Sequence, residues 1–152
     1  MPTVETPVES MVTAFRERCR ASGLALTHQR ELIYRAIVSS KHHPSPELIF
    51  DEVRRQTPSI SLATVYKNIH TFLEAGLLRE VSPHHGSLRL EANLAEHHHL
   101  VCTRCKAIVD LDESELEPIH LSRKLRAGYR ILRYTVEFQG LCPACTDALK
   151  TT

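Results

Sequence analysis

The sequence predicts an α+β protein in two parts. A helical N-terminal half closes in a β-hairpin, and a small C-terminal α/β domain is organised round four cysteines. Three observations lead there. Apolar residues recur at helical spacing through four segments between residues 11 and 73. Two short β-like pieces follow Gly76. Beyond residue 96 the pattern turns to strands, with one Cys-x-x-Cys pair near the start of that region and a second near its end. The expected division is a first domain over 1–83, a hinge over 84–96 and a second domain over 97–152.

Composition narrows the class of function. The chain has 152 residues and a net charge of +1, so it is no polycation. Any contact with nucleic acid must come from a local patch. No apolar run approaches the ~18–20 residues of a membrane span, so no membrane association is expected. The first ten residues lack the basic and apolar regions of a secretory signal. Five cysteines in such a chain point to metal in a reducing cytoplasm rather than to a disulfide framework. Ten histidines, several of them clustered, point the same way.

Each element has a local cause. Met11, Val12, Phe15 and Cys19 form one face of a first helix, which Gly23 ends. Thr27 is the N-cap of a second, with Leu32, Ile33, Ala36 and Ile37 on its buried side. His43-Pro44 stops it. Ser45 as cap and Pro46 at the first helical position start a third, with Leu48, Ile49 and Val53 inward. Pro58 breaks the chain, and Ser61 opens a fourth helix carrying Leu62, Val65, Ile69, Phe72 and Leu73. Gly76 is its expected C′ residue. Strands over Leu77–Val81 and Ser87–Leu90 flank a turn that contains His84 and His85. Three helices and a hairpin are the pattern of a winged helix-turn-helix, here with an extra helix in front. In that motif the last helix enters the DNA major groove. By pattern alone, its polar face reads equally well as a solvated surface.

In the second half, His97–Val101 and Ala107–Leu111 read as strands and Glu115–Ala127 as a helix that Pro118 delays or kinks. Leu132, Tyr134, Val136 and Phe138 alternate with polar residues, the mark of a half-buried strand. Cys142–Lys150 reads as a terminal turn or short helix.

Cys102-x-x-Cys105 and Cys142-x-x-Cys145 carry the strongest chemical signal. Two such turns, each placing two thiolates on one ion, make a closed tetrahedral zinc site. With no open position, zinc there folds the domain and catalyses nothing. Cys19, on an apolar helix face, reads as a buried inert thiol. His97 and His99 point to one side of a strand and His98 to the other, so the outer two can chelate one ion. Asp110 on the next strand lies near that pair. Alternatively, the histidines form a solvated strand end, Asp110 and Glu91 are surface carboxylates, and His43 is a loop residue before proline.

The run Ser61–Asn68, the His97-x-His99-x-x-Cys102-x-x-Cys105 block, Ile108-Val109-Asp110 and the final Cys142-x-x-Cys145 together resemble the ferric uptake regulator family of bacterial repressors. The resemblance covers roughly residues 12–150 in the family's order and spacing. It implies a homodimer, with a winged helix on double-stranded operator DNA and a C-terminal dimerisation domain. It implies a regulatory metal bound by His43, Glu91, His97, His99 and Asp110 beside the structural zinc. Three imidazoles and two carboxylates suit Fe²⁺ or Mn²⁺, and Zn²⁺ can substitute. A third metal site of some members would use Glu96, His98 and Glu117, but Tyr134 replaces its last histidine.

Asp110 and the Tyr66-Lys67-Asn68 run are most like the peroxide-sensing branch, whereas Glu91 points to the iron-uptake branch. The expected function is therefore a metal-dependent repressor that senses peroxide through oxidation of a ligand histidine, His43 or His97. An iron-responsive or other divalent-metal-responsive uptake repressor is the alternative. A zinc-dependent hydrolase and a zinc-stapled interaction module are further readings, but a hydrolase leaves the Tyr66 helix unexplained. No enzymatic turnover is expected. Expected DNA contacts are Tyr66, Lys67, Asn68, Thr64 and Arg30, with Lys41 and Arg79 as phosphate candidates. Arg54 and Arg55 read as surface charges.

Overall fold

The computed structural model describes residues 6–81, 86–119 and 128–150. It divides into two compact units, up to Leu94 and from Ala95. His84 and His85 lie outside the described residues.

The first unit holds four helices, α1 (Pro7–Ala21), α2 (His28–Ser39), α3 (Pro46–Gln56) and α4 (Leu62–Glu74), then strands β1 (Arg79–Val81) and β2 (Arg89–Glu91). Local capping starts each helix. The hydroxyls of Thr6, Thr27, Ser45 and Ser61 accept from the backbone N–H of Glu9, Arg30, Leu48 and Thr64, one hydrogen bond for each set of unpaired N-terminal donors. Helix α1 begins before Met11 because Thr6 caps it and Pro7 fits its first turn. After α4, Gly76 takes φ +66°, a left-handed conformation in which a Cβ would be strained. β1 and β2 pair antiparallel, with Glu80 opposite Leu90, and form the predicted hairpin.

Val12, Phe15 and Cys19 from α1, Leu32, Ile33, Tyr34 and Ile37 from α2, and Val65, Ile69 and Phe72 from α4 share one core. Phe15 stacks on Tyr34 with centroids 4.0 Å apart and meets Phe72 edge-on at 5.3 Å. Each such side chain contributes about 1.5–3 kcal/mol by burial. Cys19 is fully buried and burial pushes its thiol pKa up, as an inert core thiol requires. Leu48, expected to face inward, is 59% exposed. Helix α3 buries Ile49 and Val53 instead, and position 48 falls outside that narrow stripe.

The second unit contains a three-stranded sheet in the order β4-β3-β5, from β3 (His97–Cys102), β4 (Ile108–Asp112) and β5 (Glu137–Gly140), and helix α5 (Pro143–Lys150). β3 pairs antiparallel with β4 and parallel with β5. Two expectations change here. The helix expected over Glu115–Ala127 is absent across 115–119. A single 3-10 turn, Glu113–Glu115, is closed by a capping box between Asp112 and Glu115, and Leu116 is extended. Pro118 also disfavours helical backbone at Glu117. Residues 120–127 lie outside the described residues. The strand expected over Leu132–Phe138 begins only at Glu137. It forms where β3 supplies a ladder, from His99 opposite Glu137 to Cys102 opposite Gly140. The alternating residue Leu132 is 84% exposed.

Candidate metal centres and nucleic-acid interface

Cys102 closes β3, Cys105 lies in the turn after it, Cys142 precedes α5 and Cys145 lies in its first turn. Parallel pairing of β3 with β5 brings the two pairs together. All four Sγ atoms lie within 4.8 Å of one another, and those of Cys105 and Cys142 are 3.7 Å apart. Four sulfurs at about 2.3 Å from one tetrahedral ion stand about 3.8 Å apart, so this cage is able to hold zinc. Backbone N–H groups of Cys105 and then Cys142 bring the Cys102 thiol pKa down to about 6. Cys145 is pushed up to about 12, chiefly by its hydrogen bond to Cys142. Lys106 turns the chain out of the first pair with φ +63°, and its N–H donates to the Cys102 carbonyl at 2.9 Å.

The alternation of β3 sorts the three histidines. The Nε2 atoms of His97 and His99 lie 3.8 and 3.7 Å from the same oxygen of Asp110, and the His97 and His99 rings are 4.7 Å apart. The register of β3 with β4 places Asp110 opposite His99. Those spacings exceed a hydrogen bond and suit donors arranged round an ion. His97 Nδ1 is 2.8 Å from the Ala95 carbonyl. A carbonyl can only accept, so Nδ1 is the donor, and Nε2 is the nitrogen turned toward Asp110. A backbone carbonyl behind a ligand imidazole is the usual orienting partner.

His98 faces the other way. Its Nδ1 accepts from the Val136 N–H at 3.2 Å, and its ring stacks on Tyr134 at 5.7 Å. Glu96 and His98 line a cavity of about 270 Å³ with Glu113 and Tyr134, whereas Glu117 is exposed and does not line it. Among the described residues, no cluster of three metal donors joins Glu96, His98 and Glu117.

In the first unit, His43 precedes the Pro44 whose carbonyl accepts from Leu90 N–H at 3.0 Å. That bond fastens the segment to β2. His43 Nδ1 lies 3.3 Å from the Leu90 carbonyl and 3.2 Å from Glu91 Oε2, two acceptors that place its proton on Nδ1. Glu91 also accepts from the Asn93 N–H at 2.5 Å. Both side chains are buried. The sequence reading missed Arg89, whose Nε donates to the His43 carbonyl at 2.5 Å.

Of the expected DNA contacts, Lys67 is exposed, Tyr66 and Thr64 are half-buried, and Asn68 is buried. The Tyr66 hydroxyl donates to Glu47 Oε1 at 2.5 Å. That bond lowers the Glu47 pKa and raises that of Tyr66. Glu47 was missed, although Ser45-Pro46 already places it in the first turn of α3. Thr64 Oγ1 bonds the Ser61 hydroxyl at 2.8 Å. Asn68, expected at the DNA surface, turns inward because Val65, Ile69 and Phe72 bury the adjoining face of α4. Lys41 is exposed and Arg79 is half-buried on β1; Arg54 and Arg55 are exposed and pair with Asp51 and Glu52.

The ferric uptake regulator family model matches residues 21–139. The chain is 28% identical over 145 residues to the peroxide-responsive repressor PerR of Staphylococcus aureus, covering 95% of each. Its fold matches the Helicobacter pylori ferric uptake regulator Fur, a structure described as having three functional metal-binding sites, with a TM-score of 0.70 and 20% identity over 96% of this chain and 97% of that one. It also matches a zinc uptake regulator complexed with zinc and DNA, with a TM-score of 0.65 and 19% identity over 96% and 99%. Among the described residues no helix is long and apolar enough to cross a membrane.

Proposed function

This chain belongs to the ferric uptake regulator family and is a metal-responsive transcriptional repressor, and we propose that it senses hydrogen peroxide as a cytoplasmic homodimer on double-stranded operator DNA. Its Cys102, Cys105, Cys142 and Cys145 hold structural zinc. Its regulatory ion, Fe²⁺ or Mn²⁺, is held by His43, Glu91, His97, His99 and Asp110. The observation that carries this reading is the convergence of His97 and His99 Nε2 on one oxygen of Asp110. It is a thiolate-free donor set of the kind that suits these ions.

The five ligands divide the work. His97, His99 and Asp110 come preset on paired strands, and His43 and Glu91 come preset beside the hairpin. An ion bonded to all five favours only the arrangement in which all five reach it, and so shifts the population toward the DNA-binding form. Fe²⁺ held there would promote cleavage of the peroxide O–O bond, lending an electron that it regains, so the two oxidising equivalents of hydrogen peroxide are both spent on the ligand. A ligand imidazole, of His43 or His97, then gains one oxygen atom while the other leaves as water. The altered ring no longer donates as before, the clamp loosens and DNA is released. Each site reacts once, without turnover.

Exposed apolar side chains in the second unit support the homodimer. Tyr129 and Leu132 are 76% and 84% exposed, and a second copy would cover them. Mass spectrometry of iron-loaded protein after micromolar peroxide tests the reading. One added oxygen is expected on a peptide containing His43 or His97, with loss of operator binding, and manganese-loaded protein should resist. Unmodified peptides with full DNA binding would favour an iron-responsive uptake repressor instead.

A further inference from the structure

We propose that Asn68 reads no base and is a positioning residue, holding Arg30 as a phosphate clamp beside the recognition helix α4. The proposal rests on the operator-binding reading above. Asn68 is buried, at 8% exposure. Its Nδ2 donates to the Thr64 carbonyl one turn back at 2.9 Å, and its Oδ1 accepts from Arg30 Nε at 3.3 Å. Bidentate reading of adenine needs both ends of an asparagine amide on the base. Here each end already bonds a protein partner and the side chain is buried, so the amide is not presented to a base edge.

Arg30 is thereby fixed at two points. Nε is held by Asn68, and Nη1 donates to the Ala25 carbonyl at 2.5 Å. Its backbone N–H is held by the Thr27 cap at 3.2 Å. A guanidinium has five N–H donors. The remaining three have no partner among the described residues. The group is half-buried and lies against α4 within one turn of Thr64 and Lys67. An uncharged amide suits this task. It orients the guanidinium without cancelling the charge, as a carboxylate would. A planar fork held this way loses little freedom when it meets phosphate oxygens.

The test uses the full-length, manganese-loaded protein. A duplex selected from a random pool is compared with its shuffled counterpart by anisotropy across a potassium chloride series. Arg30→Ala should weaken both duplexes by a similar factor and reduce the salt slope by about one. Asn68→Ala should weaken both equally, by about three- to tenfold. The double variant should bind no more weakly than Arg30→Ala, and reselection with Asn68→Ala should return the wild-type sequence. A changed base preference in Asn68→Ala, multiplying losses in the double variant, or an unchanged slope in Arg30→Ala would each overturn the assignment. Should Asn68→Ala fail to fold, Arg30→Lys decides. Restored slope without restored affinity supports an oriented fork, and full restoration of both refutes it. Wild-type protein that binds no duplex overturns the operator-binding reading itself, and shows it by the absence of any starting signal.

Discussion

Arg89 donates through Nε to the carbonyl oxygen of His43 at 2.5 Å, and so ties the peptide of a proposed metal ligand to the wing strand β2. Arg89→Ala should lower affinity for the regulatory ion by about tenfold, the usual cost of removing a group behind a ligand. Zinc content should not change. Titration with Mn²⁺ beside zinc measured by mass spectrometry checks both halves of this expectation.

The four-cysteine cage makes a second prediction. Cys142→Ser should abolish tight zinc binding and unfold the sheet of the second unit, because metal binding there is folding free energy. The helices of the first unit have their own core and should survive. Circular dichroism should then show retained helix, with loss of protease resistance confined to residues beyond Leu94. Wild-type resistance in the zinc-free variant would contradict the assignment.

Lys106 occupies left-handed backbone at φ +63°, where a side chain costs about 1 kcal/mol relative to glycine. Lys106→Gly should therefore stabilise the zinc-loaded second unit and raise the melting temperature of its transition by about 4–8 °C. A lower melting temperature would mean that the contacts of the lysine outweigh the backbone strain.

Acid should loosen the seam between α1 and α2. Arg16 binds both oxygens of Glu31 at 2.9 and 2.5 Å, and Arg35 pairs with Glu9. These bonds hold the Glu31 and Glu9 pKa values below their ordinary 4.5. A depressed carboxylate stabilises the fold above its unfolded pKa and loses that contribution as pH falls through its folded value. Glu31→Gln should therefore lower the urea midpoint at pH 7, and the gap to wild type should narrow progressively as pH falls below 4.5. Both partners are substantially exposed, so added salt should shrink it too.

What the sequence made legible was chemistry local to a few residues. Thr27, Ser45 and Ser61 announced helix starts because a hydroxyl at an N-cap acts over three positions. The cysteine pairs announced a cage because spacing alone limits which metals fit. The parity of β3 separated His98 from its neighbours for the same reason. Contacts between distant segments were not legible. Nothing near Asn68 in sequence indicates Arg30, 38 residues away, so its polarity read as an outward face. The alternation from Leu132 to Phe138 is that of a strand, yet a strand needs a neighbour's ladder, and the ladder with β3 begins only at Glu137, because the Val136 N–H is taken by the His98 ring.

The parallel ladder joining β3 to β5 runs from the histidines at one end to the cysteines at the other. His99 faces Glu137, and three steps on Cys102 faces Gly140. Thiol-oxidising agents that eject zinc would thus be expected to unzip this seam from its clasped end, and the imidazoles proposed as regulatory ligands would lose their alignment afterwards. Two kinds of oxidative injury, one to sulfur and one to imidazole, would converge on the same outcome: a repressor that lets go of its promoter.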